Sequence, residues 1–251
     1  VHDVVLDTID TRIGSAGSTS ASRQTWMSGG AVKAACEAVR RALIGHVAAS
    51  TGVAAEVLSL RDGAVVSLNG EVEVPFSELA AVGDFGEEAV FRQRPTVPLD
   101  ENGQGDAHVS WAFAAHRAVV DVDPELGLVR VVEISTGQDV GVALNPLQVV
   151  GQIEGGIAQG LGLAVMEEIV VDGGRVSNPS FTDYLIPTAL DMPDVHTTVI
   201  EEPEPFAPFG AKGVGEPPTI SSTPAVVAAI RAATGRALDR IPVRPQDIAL
   251  A

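Results

Sequence analysis

Hydrophobic positions along the chain follow two different periods, which predicts a mixture of strands and helices. Residues 1–8 alternate apolar and polar side chains, a pattern typical of a strand. Residues 30–48 carry apolar side chains at helical spacing and predict a helix. Since strands and helices are interspersed along the chain without strict βαβ alternation, the pattern favours the α+β class.

Turn signals divide the first half of the chain into short elements. Residues 52–66 predict short strands broken at Asp62 and Gly63, and residues 75–79 predict the start of a short helix. Residues 92–107 are rich in proline, glycine and polar side chains and predict a linker or long loop. We therefore expect a first α+β portion over residues 1–91 and a second over residues 108–251.

The second portion has its own sequence of predicted elements. Residues 109–123 and 128–134 predict a hairpin, and Asn145-Pro146 is expected to open a helix that runs to about Glu167. Three further elements are a hairpin turn at 172–175, a strand at 195–200 and a final helix that starts at Thr223-Pro224 and ends near Gly235.

Composition and charge exclude several classes of partner. The 251 residues are 45% hydrophobic but only 4% aromatic, so the core must consist mainly of valine, alanine, leucine and isoleucine. A formal net charge of −17 argues against nucleic acid or an anionic membrane as a partner. Apolar runs are too short for a membrane span, and we expect neither a span nor a secretory leader. The lone Cys36 predicts a reduced, structural thiol and a cytoplasmic location.

The sequence contains one loop with a well-placed candidate catalytic acid. Residues 210–218 read Gly-Ala-Lys-Gly-Val-Gly-Glu-Pro-Pro. We expect its glycines to take positive φ and its prolines to restrict Glu216 to an extended backbone, making this carboxylate a candidate general base. The alternative is a surface turn with an incidental acid.

Two other segments are rich in glycine. In the predicted helix over 149–162, Gln152, Gly156, Gln159 and Gly160 share one face, which suits either a flat hydrogen-bonding ligand or close helix packing; periodicity alone favours packing. The small-residue loop at 14–23 exposes hydroxyls and N–H groups and suits a phosphate, although a flexible polar loop is the commoner outcome. Together the three segments suggest a cofactor pocket.

These three segments resemble the molybdenum hydroxylases, the xanthine dehydrogenase and aldehyde oxidase family. The resemblance lies in Gly-Ser-x-Gly-Ser-Thr-Ser-Ala-Ser-Arg-Gln-Thr at 14–25, Gly-Gln-Ile-Glu-Gly-Gly-x-x-Gln-Gly-Leu-Gly at 151–162 and the loop at 210–218. It implies a molybdenum-cofactor-binding α+β fold of the xanthine dehydrogenase/aldehyde oxidase type, and specifically the C-terminal half of the molybdopterin-binding subunit. The first segment is most similar to bacterial purine and N-heterocycle dehydrogenases.

The resemblance also implies roles for individual residues. Glu216 is implied as the catalytic base beside the molybdenum, where it would take the proton of a hydroxyl on the metal. The metal is implied to be held by the pterin dithiolene, with no side-chain ligand, which suits a sequence without CxxC, HExxH or P-loop patterns. The implied cofactor-binding residues are Gly151, Gln152, Ser18, Thr19, Ser20, Ala21, Ser22, Arg23, Lys212, Gly213, Val214 and Gly215, with Lys212 and Gly213 offering backbone donors.

The family's other motifs are absent from this sequence, so we expect partner chains. The resemblance implies molybdenum-molybdopterin in its cytosine dinucleotide form, a second molybdopterin-binding chain, and iron–sulfur (2Fe-2S) and FAD subunits. An abrupt strand at residue 1 favours a split subunit or a cleaved product. The implied activity is hydroxylation of an N-heterocycle with water as the oxygen source.

The sequence supports several alternative functions. Xanthine or hypoxanthine is the expected substrate, with nicotinate second and aldehydes as further alternatives. A non-catalytic assembly subunit and a generic anion-binding module are the other hypotheses. Phe181, Tyr184 and Phe209 could line the pocket or fill the core.

Overall fold

The chain forms two compact units in a computed structural model that describes residues 4–7, 10, 12 and 15–249. The first unit comprises Val1–Thr19 and Gln24–Pro95, and the second comprises Ser20–Arg23 and Thr96–Ala251. Each unit contains helices and a sheet, so the predicted α+β class is confirmed. The division at residues 92–107 stays a prediction, although residues 83–113 are all described and contain no helix or strand.

The first unit combines helices with an antiparallel sheet. Its elements are α1 (Gln24–Thr51), β1 (Leu58–Arg61), β2 (Ala64–Ser67), β3 (Glu73–Pro75) and α2 (Phe76–Val82). The strands lie in the order β1-β2-β3. Its core contains Ile44, Val47, Leu58, Val65 and Leu79.

Local sequence explains where the predicted elements of this unit match the structure and where they differ from it. Asp62 and Gly63 have φ angles of 51° and 79°, which join β1 to β2 through the predicted tight turn. The helix begins at Gln24 rather than near residue 30, because the buried Trp26 extends its apolar face. Cys36 lies on this helix but is exposed, so it is not a buried structural thiol.

The strand predicted over residues 1–8 is wrong for the part that the structure describes. Residues 4–7 form no strand, and Val5 and Leu6 are 87% and 92% exposed. Alternation alone was insufficient because no neighbouring strand pairs with these four residues. Residues 1–3 and 8, and Gly14 of the small-residue loop, lie outside the described residues.

The second unit is built on a three-stranded mixed sheet with two long helices. The hairpin β4 (Ala114–Asp123) and β5 (Leu128–Asp139) is antiparallel as predicted, and β8 (Asp194–Ile200) pairs parallel to β5. The helices are α3 (Pro146–Val165) and α4 (Pro217–Thr234). The core shared by sheet and helices contains Val131, Ile134, Ile153, Ile157, Leu161, Ala164, Val226, Ile230, Val243 and Ile248.

Three smaller elements complete the second unit. The predicted turn at 172–175 joins the short strands β6 (Val171–Asp172) and β7 (Arg175–Val176), and α5 (Pro245–Ala249) was not predicted. Helix α3 starts as expected, since the side chain of Asn145 accepts a hydrogen bond from the N–H of Gln148 at 3.2 Å.

The start of α4 corrects the predicted final helix. The helix begins at Pro217, not at Thr223, and Pro224 lies inside it. Proline at the first helical position is favourable, and the pair at 217–218 supplies the real start. The helix ends as predicted at Gly235, whose φ of 70° forms a left-handed cap.

Glycines on α3 allow α4 to approach closely. A Cβ on Gly156 would lie 2.7 Å from Cβ of Pro218, and one on Gly160 would overlap the side chain of Ser222. The hydroxyl of Thr223 donates to the carbonyl of Gly160 at 2.9 Å. For these two glycines, the packing alternative is therefore correct.

A half-buried histidine lies between the sheet and α4. The amide nitrogen of Gln138 is 3.2 Å from Nε2 of His116 and can only donate, so Nδ1 carries the proton and donates to Oγ of Ser221 at 2.7 Å. Burial lowers the pKa of His116 below its ordinary value of 6.5. The neutral imidazole is therefore the form that the folded protein favours.

This burial predicts a stability loss in acid. In the unfolded chain His116 takes up a proton near pH 6.5, whereas in the folded protein it does so only at a lower pH. The free energy of unfolding therefore falls as the pH drops below 6.5. Urea unfolding between about pH 8 and about pH 5 should show this slope, and His116→Gln should reduce it. The matched control is His196→Gln on an exposed position of β8. Equal slopes in wild type and His116→Gln would contradict the prediction.

Candidate functional site

Parts of all three predicted segments meet inside the second unit. Residues Ser20–Arg23 lie against the loop that leads to Glu216. Ala21 and Ser22 adopt consecutive positive φ angles of 63° and 49°. Such a backbone is strained for residues with a Cβ, and residues of this kind cluster at functional sites.

The carboxylate of Glu216 is held by the Ser20–Arg23 segment. The N–H of Ala21 donates to Oε1 at 3.2 Å, and the hydroxyl of Ser22 donates to Oε2 at 3.1 Å. The N–H of Glu216 in turn donates to Oγ of Ser22 at 2.8 Å. Glu216 remains exposed, so its carboxylate is both oriented and accessible.

Glu216 has a helical backbone instead of the expected extended one. Its φ and ψ are −96° and −36°, a conformation that a following proline disfavours. Hydrogen bonds offset this cost, because its carbonyl accepts from the N–H groups of Thr219 and Ile220 at 3.0 and 3.2 Å. Glu216 is thus the residue that precedes the first turn of α4.

The two prolines leave the first turn of α4 without donors for the Glu216 side chain. A residue before a helix normally turns its side chain onto the N–H of the second or third helical residue. Pro218 has no N–H, and the N–H of Thr219 is already bonded to a carbonyl. The Glu216 side chain forms no capping bond and points to Ala21 and Ser22 instead.

Only one of the three loop glycines has the expected positive φ. Gly210 has a φ of 76°, whereas Gly213 and Gly215 lie outside the positive region. Gly213 is required for another reason, because a Cβ there would overlap the carbonyl oxygen of Ser22. A Cβ on Gly215 would lie 3.4 Å from Oγ of Ser22. Close backbone approach therefore explains Gly213, whereas a Cβ on Gly215 would make only an ordinary van der Waals contact.

Lys212 is not available as the expected backbone donor. Its N–H donates to the carbonyl of Val140 at 2.9 Å. Its Nζ lies 2.6 Å from Oδ2 of Asp139, and both side chains are less than 10% exposed, at 8% and 7%. Oδ1 of the same carboxylate accepts from the N–H of Gly141 at 3.1 Å. Lys212 therefore anchors the loop at residues 210–218, here called the glutamate loop, to the end of β5.

Gln152 and Gly151 lie at the exposed start of α3. Oε1 of Gln152 is 3.8 Å from the position of a Cβ on Gly215, which brings this amide to the glutamate loop. Gly151 has nothing within 4 Å of its own Cβ position. Since glycine inside a helix costs about 1 kcal/mol, and no contact with residues that the structure describes requires it, the open face suits close approach by another molecule.

The other predicted residues are more dispersed. Ser18 and Thr19 belong to the first unit, where the carbonyl of Ser18 accepts from the side chain of Gln24 at 3.2 Å. Arg23 is partly buried within the second unit. Val214 packs against the core of the second unit and thereby holds the 210–218 loop against that core.

A cavity of about 460 Å³ opens beside the glutamate. It is lined by Ser20, Ala21, Gln159, Gly215, Glu216, Thr219 and Ile220. Thr219 and Ile220 were missed from sequence because the final helix was expected to start later. The pair of prolines after Glu216 was the signal that could have placed them one turn into α4.

The aromatic candidates neither fill the core nor line this cavity. Phe181 and Phe209 are 86% and 64% exposed. The hydroxyl of Tyr184 donates to Oε2 of Glu167 at 2.8 Å, and this bond raises the pKa of the tyrosine. Their contribution to a substrate pocket stays a prediction.

The described residues contain neither a metal-ligand cluster nor a membrane-spanning helix. No group of three or more histidine, cysteine, aspartate and glutamate side chains is placed to hold a metal ion there. Among the same residues, none of the helices has the length and apolar character of a membrane span.

Comparisons with known proteins agree on one family. A family model described as the molybdopterin cofactor-binding domain matches residues 1–193. The chain is 32% identical over 237 residues to the xanthine dehydrogenase molybdenum-binding subunit of Escherichia coli O157:H7, covering 91% of this chain and 30% of that protein. It is 32% identical over 231 residues to the 6-hydroxypseudooxynicotine dehydrogenase complex subunit gamma of Paenarthrobacter nicotinovorans, covering 90% and 29%.

Solved structures give the same result. Quinoline 2-oxidoreductase from Pseudomonas putida 86 matches with a TM-score of 0.73 and 30% identity, covering 91% of this chain and 30% of that one. The chain therefore spans about 30% of the length of these three relatives.

Proposed function

Because the chain belongs to the molybdopterin cofactor-binding domain family of the molybdenum hydroxylases, we propose that it supplies the catalytic base of a molybdenum-dependent oxidoreductase. The observation that carries this proposal is the carboxylate of Glu216, oriented by Ala21 and Ser22 at the wall of a cavity. The enzyme would hydroxylate an N-heterocycle and pass the electrons to other subunits.

The residues around the cavity suit a molybdopterin cofactor. Hydroxyls, amides and backbone groups from Ser20, Gln152 and Gln159 can hydrogen-bond a pterin, and the open face of Gly151 leaves room for it. A cofactor that brings its own metal ligands requires this type of donor set. We propose that Gln152, Gly151 and the Ser20–Arg23 segment hold it. Ser18 and Thr19 are proposed as cofactor-binding residues from the family resemblance alone.

Glu216 would act as the proton acceptor. When bound, the cofactor supplies two-electron redox chemistry and activates the water whose oxygen enters the substrate. The Glu216 carboxylate would take a proton at Oε1 or Oε2, and the hydrogen bonds from Ala21 and Ser22 fix its direction. Lys212, through its bond to Asp139, would keep the loop in place during this transfer.

The names of the relatives support the substrate class. They are named for xanthine, 6-hydroxypseudooxynicotine and quinoline. We propose an N-heterocycle, with xanthine or hypoxanthine first, nicotinate second and aldehydes as the remaining alternative. A non-catalytic assembly subunit is disfavoured, because such a subunit has no need for an oriented, accessible carboxylate at a cavity wall.

The length of the chain supports a shared active site. Since the chain spans about 30% of its relatives, we propose that a second molybdopterin-binding segment completes the cavity. Ile220 at the cavity edge is 71% exposed and would be covered by that segment. We further propose the cytosine dinucleotide form of the cofactor, together with 2Fe-2S and FAD subunits and a cytoplasmic complex.

Purification of the complex from its native host tests this proposal. We expect molybdenum in a one-to-one ratio with this chain, release of a cytosine nucleotide on cofactor extraction, and co-purifying chains that carry iron and flavin. A purified complex that turns over an N-heterocycle without molybdenum would contradict the proposed function. Stoichiometric cofactor and turnover in the isolated chain would contradict the shared active site alone.

A further inference from the structure

Ser22 and Glu216 exchange hydrogen bonds in both directions. The Ser22 hydroxyl accepts the N–H of Glu216 at 2.8 Å and donates its proton to Oε2 of the same residue at 3.1 Å. A serine hydroxyl has a single proton. With that proton given to Glu216, the hydroxyl has none left to donate to a phosphate or pterin.

The backbone fixes Ser22 in the position that this exchange needs. Its φ is 49°, and its carbonyl oxygen fills the space that a side chain at Gly213 would occupy. Two contacts of Ser22 therefore fix the positions of the two loops relative to each other: its carbonyl faces Gly213 and its hydroxyl faces Glu216. A shift of either loop along the other would break the exchange.

Within the described part of the chain, no donor other than the Ala21 N–H is bonded to the Glu216 carboxylate to hold it if Ser22 is lost. The first turn of α4 offers none, since Pro217 and Pro218 lack N–H groups and the next two N–H groups are bonded to the Glu216 carbonyl. Only the N–H of Ala21, at 3.2 Å, would continue to hold the side chain. One donor leaves a glutamate free to rotate about its terminal bonds, whereas two donors on different oxygens fix the plane of its carboxylate.

We propose that Ser22 is a positioning residue for Glu216, and that its hydroxyl acts on the carboxylate instead of on the cofactor. This inference rests on the proposed function, because it assumes that Glu216 is the base. It assigns to the Ser22 hydroxyl a role different from cofactor binding. A cofactor contact from this residue would come from its backbone.

Variants of Ser22 in the assembled complex test the inference. Ser22→Ala and Ser22→Gly both remove the hydroxyl, and glycine also relieves the positive φ. We expect molybdenum content and KM to stay close to wild type while kcat per bound molybdenum falls by roughly 10–100-fold in both variants. Ser22→Cys, which retains a weak donor, should recover part of the loss. The matched control is Ser135→Ala, which removes a partly buried 2.8 Å serine–glutamate bond on β5.

The possible outcomes separate the two proposals. If Ser22→Ala loses activity in proportion to molybdenum, with turnover per metal unchanged, the hydroxyl binds the cofactor and the inference is wrong. If Ser22→Gly is fully active, backbone strain rather than the hydroxyl explains the alanine result, and the inference is again wrong. If Glu216→Gln retains full turnover, the proposed function itself fails, whatever the Ser22 variants do.

Discussion

Glu216→Gln is expected to lower turnover per bound molybdenum by roughly 10²–10⁴-fold, the range of one general base. Glutamine preserves the size of the side chain: its one carbonyl oxygen can still accept from the N–H of Ala21 while its NH2 group donates to Oγ of Ser22, but it cannot take up a proton. Molybdenum content and assembly should therefore remain at wild-type levels. Steady-state kinetics normalised to bound metal measure the effect.

A second glutamate provides the matched control for charge. Glu125 lies in the exposed turn between β4 and β5, and Glu125→Gln makes the same chemical change away from the cavity. We expect its turnover to equal that of wild type. Turnover of Glu216→Gln within a factor of two of this control would show that Glu216 is not the base.

Lys212→Met is expected to destabilise the second unit by about 3–5 kcal/mol, because it leaves the Asp139 carboxylate buried without its cation. The pair is 2.6 Å apart with both side chains almost inaccessible to water. In a unit of this size the loss corresponds to a fall in melting temperature of roughly 6–20 °C. Calorimetry of the assembled complex, with assignment of the transition that shifts, measures it.

Two further variants make the Lys212 result specific. Arg117→Met breaks an exposed pair with Glu133, at 3.1 Å, and should cost less than about 1 kcal/mol. Combining Lys212→Met with Asp139→Asn should recover much of the loss, since asparagine carries no charge and its carbonyl can still accept the N–H of Gly141. If Lys212→Met were no more damaging than Arg117→Met, the pair would not anchor the loop.

Sequence periodicity predicted the elements whose partners lie nearby in the chain. The β1–β2 turn at Asp62-Gly63, the β4–β5 hairpin and the start of α3 at Asn145-Pro146 all follow from local chemistry. The strand predicted over residues 1–8 is wrong for residues 4–7. Alternating side chains indicate a possible strand, but they do not show whether a neighbouring strand is available to pair with it. The predicted start of α4 at Thr223-Pro224 is wrong for a similar reason. Pro218 and Pro224 carry the same local signal for the start of a helix.

The candidate site was predictable in its residues but not in its contacts. Glu216, Gln152 and the segment with Ser22 were all identified from sequence, and the structure brings them to one place. The roles of Gly213 and Lys212 could not be found that way. Gly213 is required by the carbonyl of Ser22 and Lys212 by Asp139, and both partners are distant in sequence.

The distance between the Glu216 carboxylate and the metal centre is the most direct test of the proposed role of Glu216. It can be measured in a crystal or electron cryo-microscopy structure of the assembled, cofactor-loaded complex. We expect one carboxylate oxygen within about 3 Å of a ligand atom of the molybdenum, as proton transfer requires, with Ser22 still bonded to the other oxygen. A carboxylate that faces away from the metal, with no bridging water between them, would contradict the proposal.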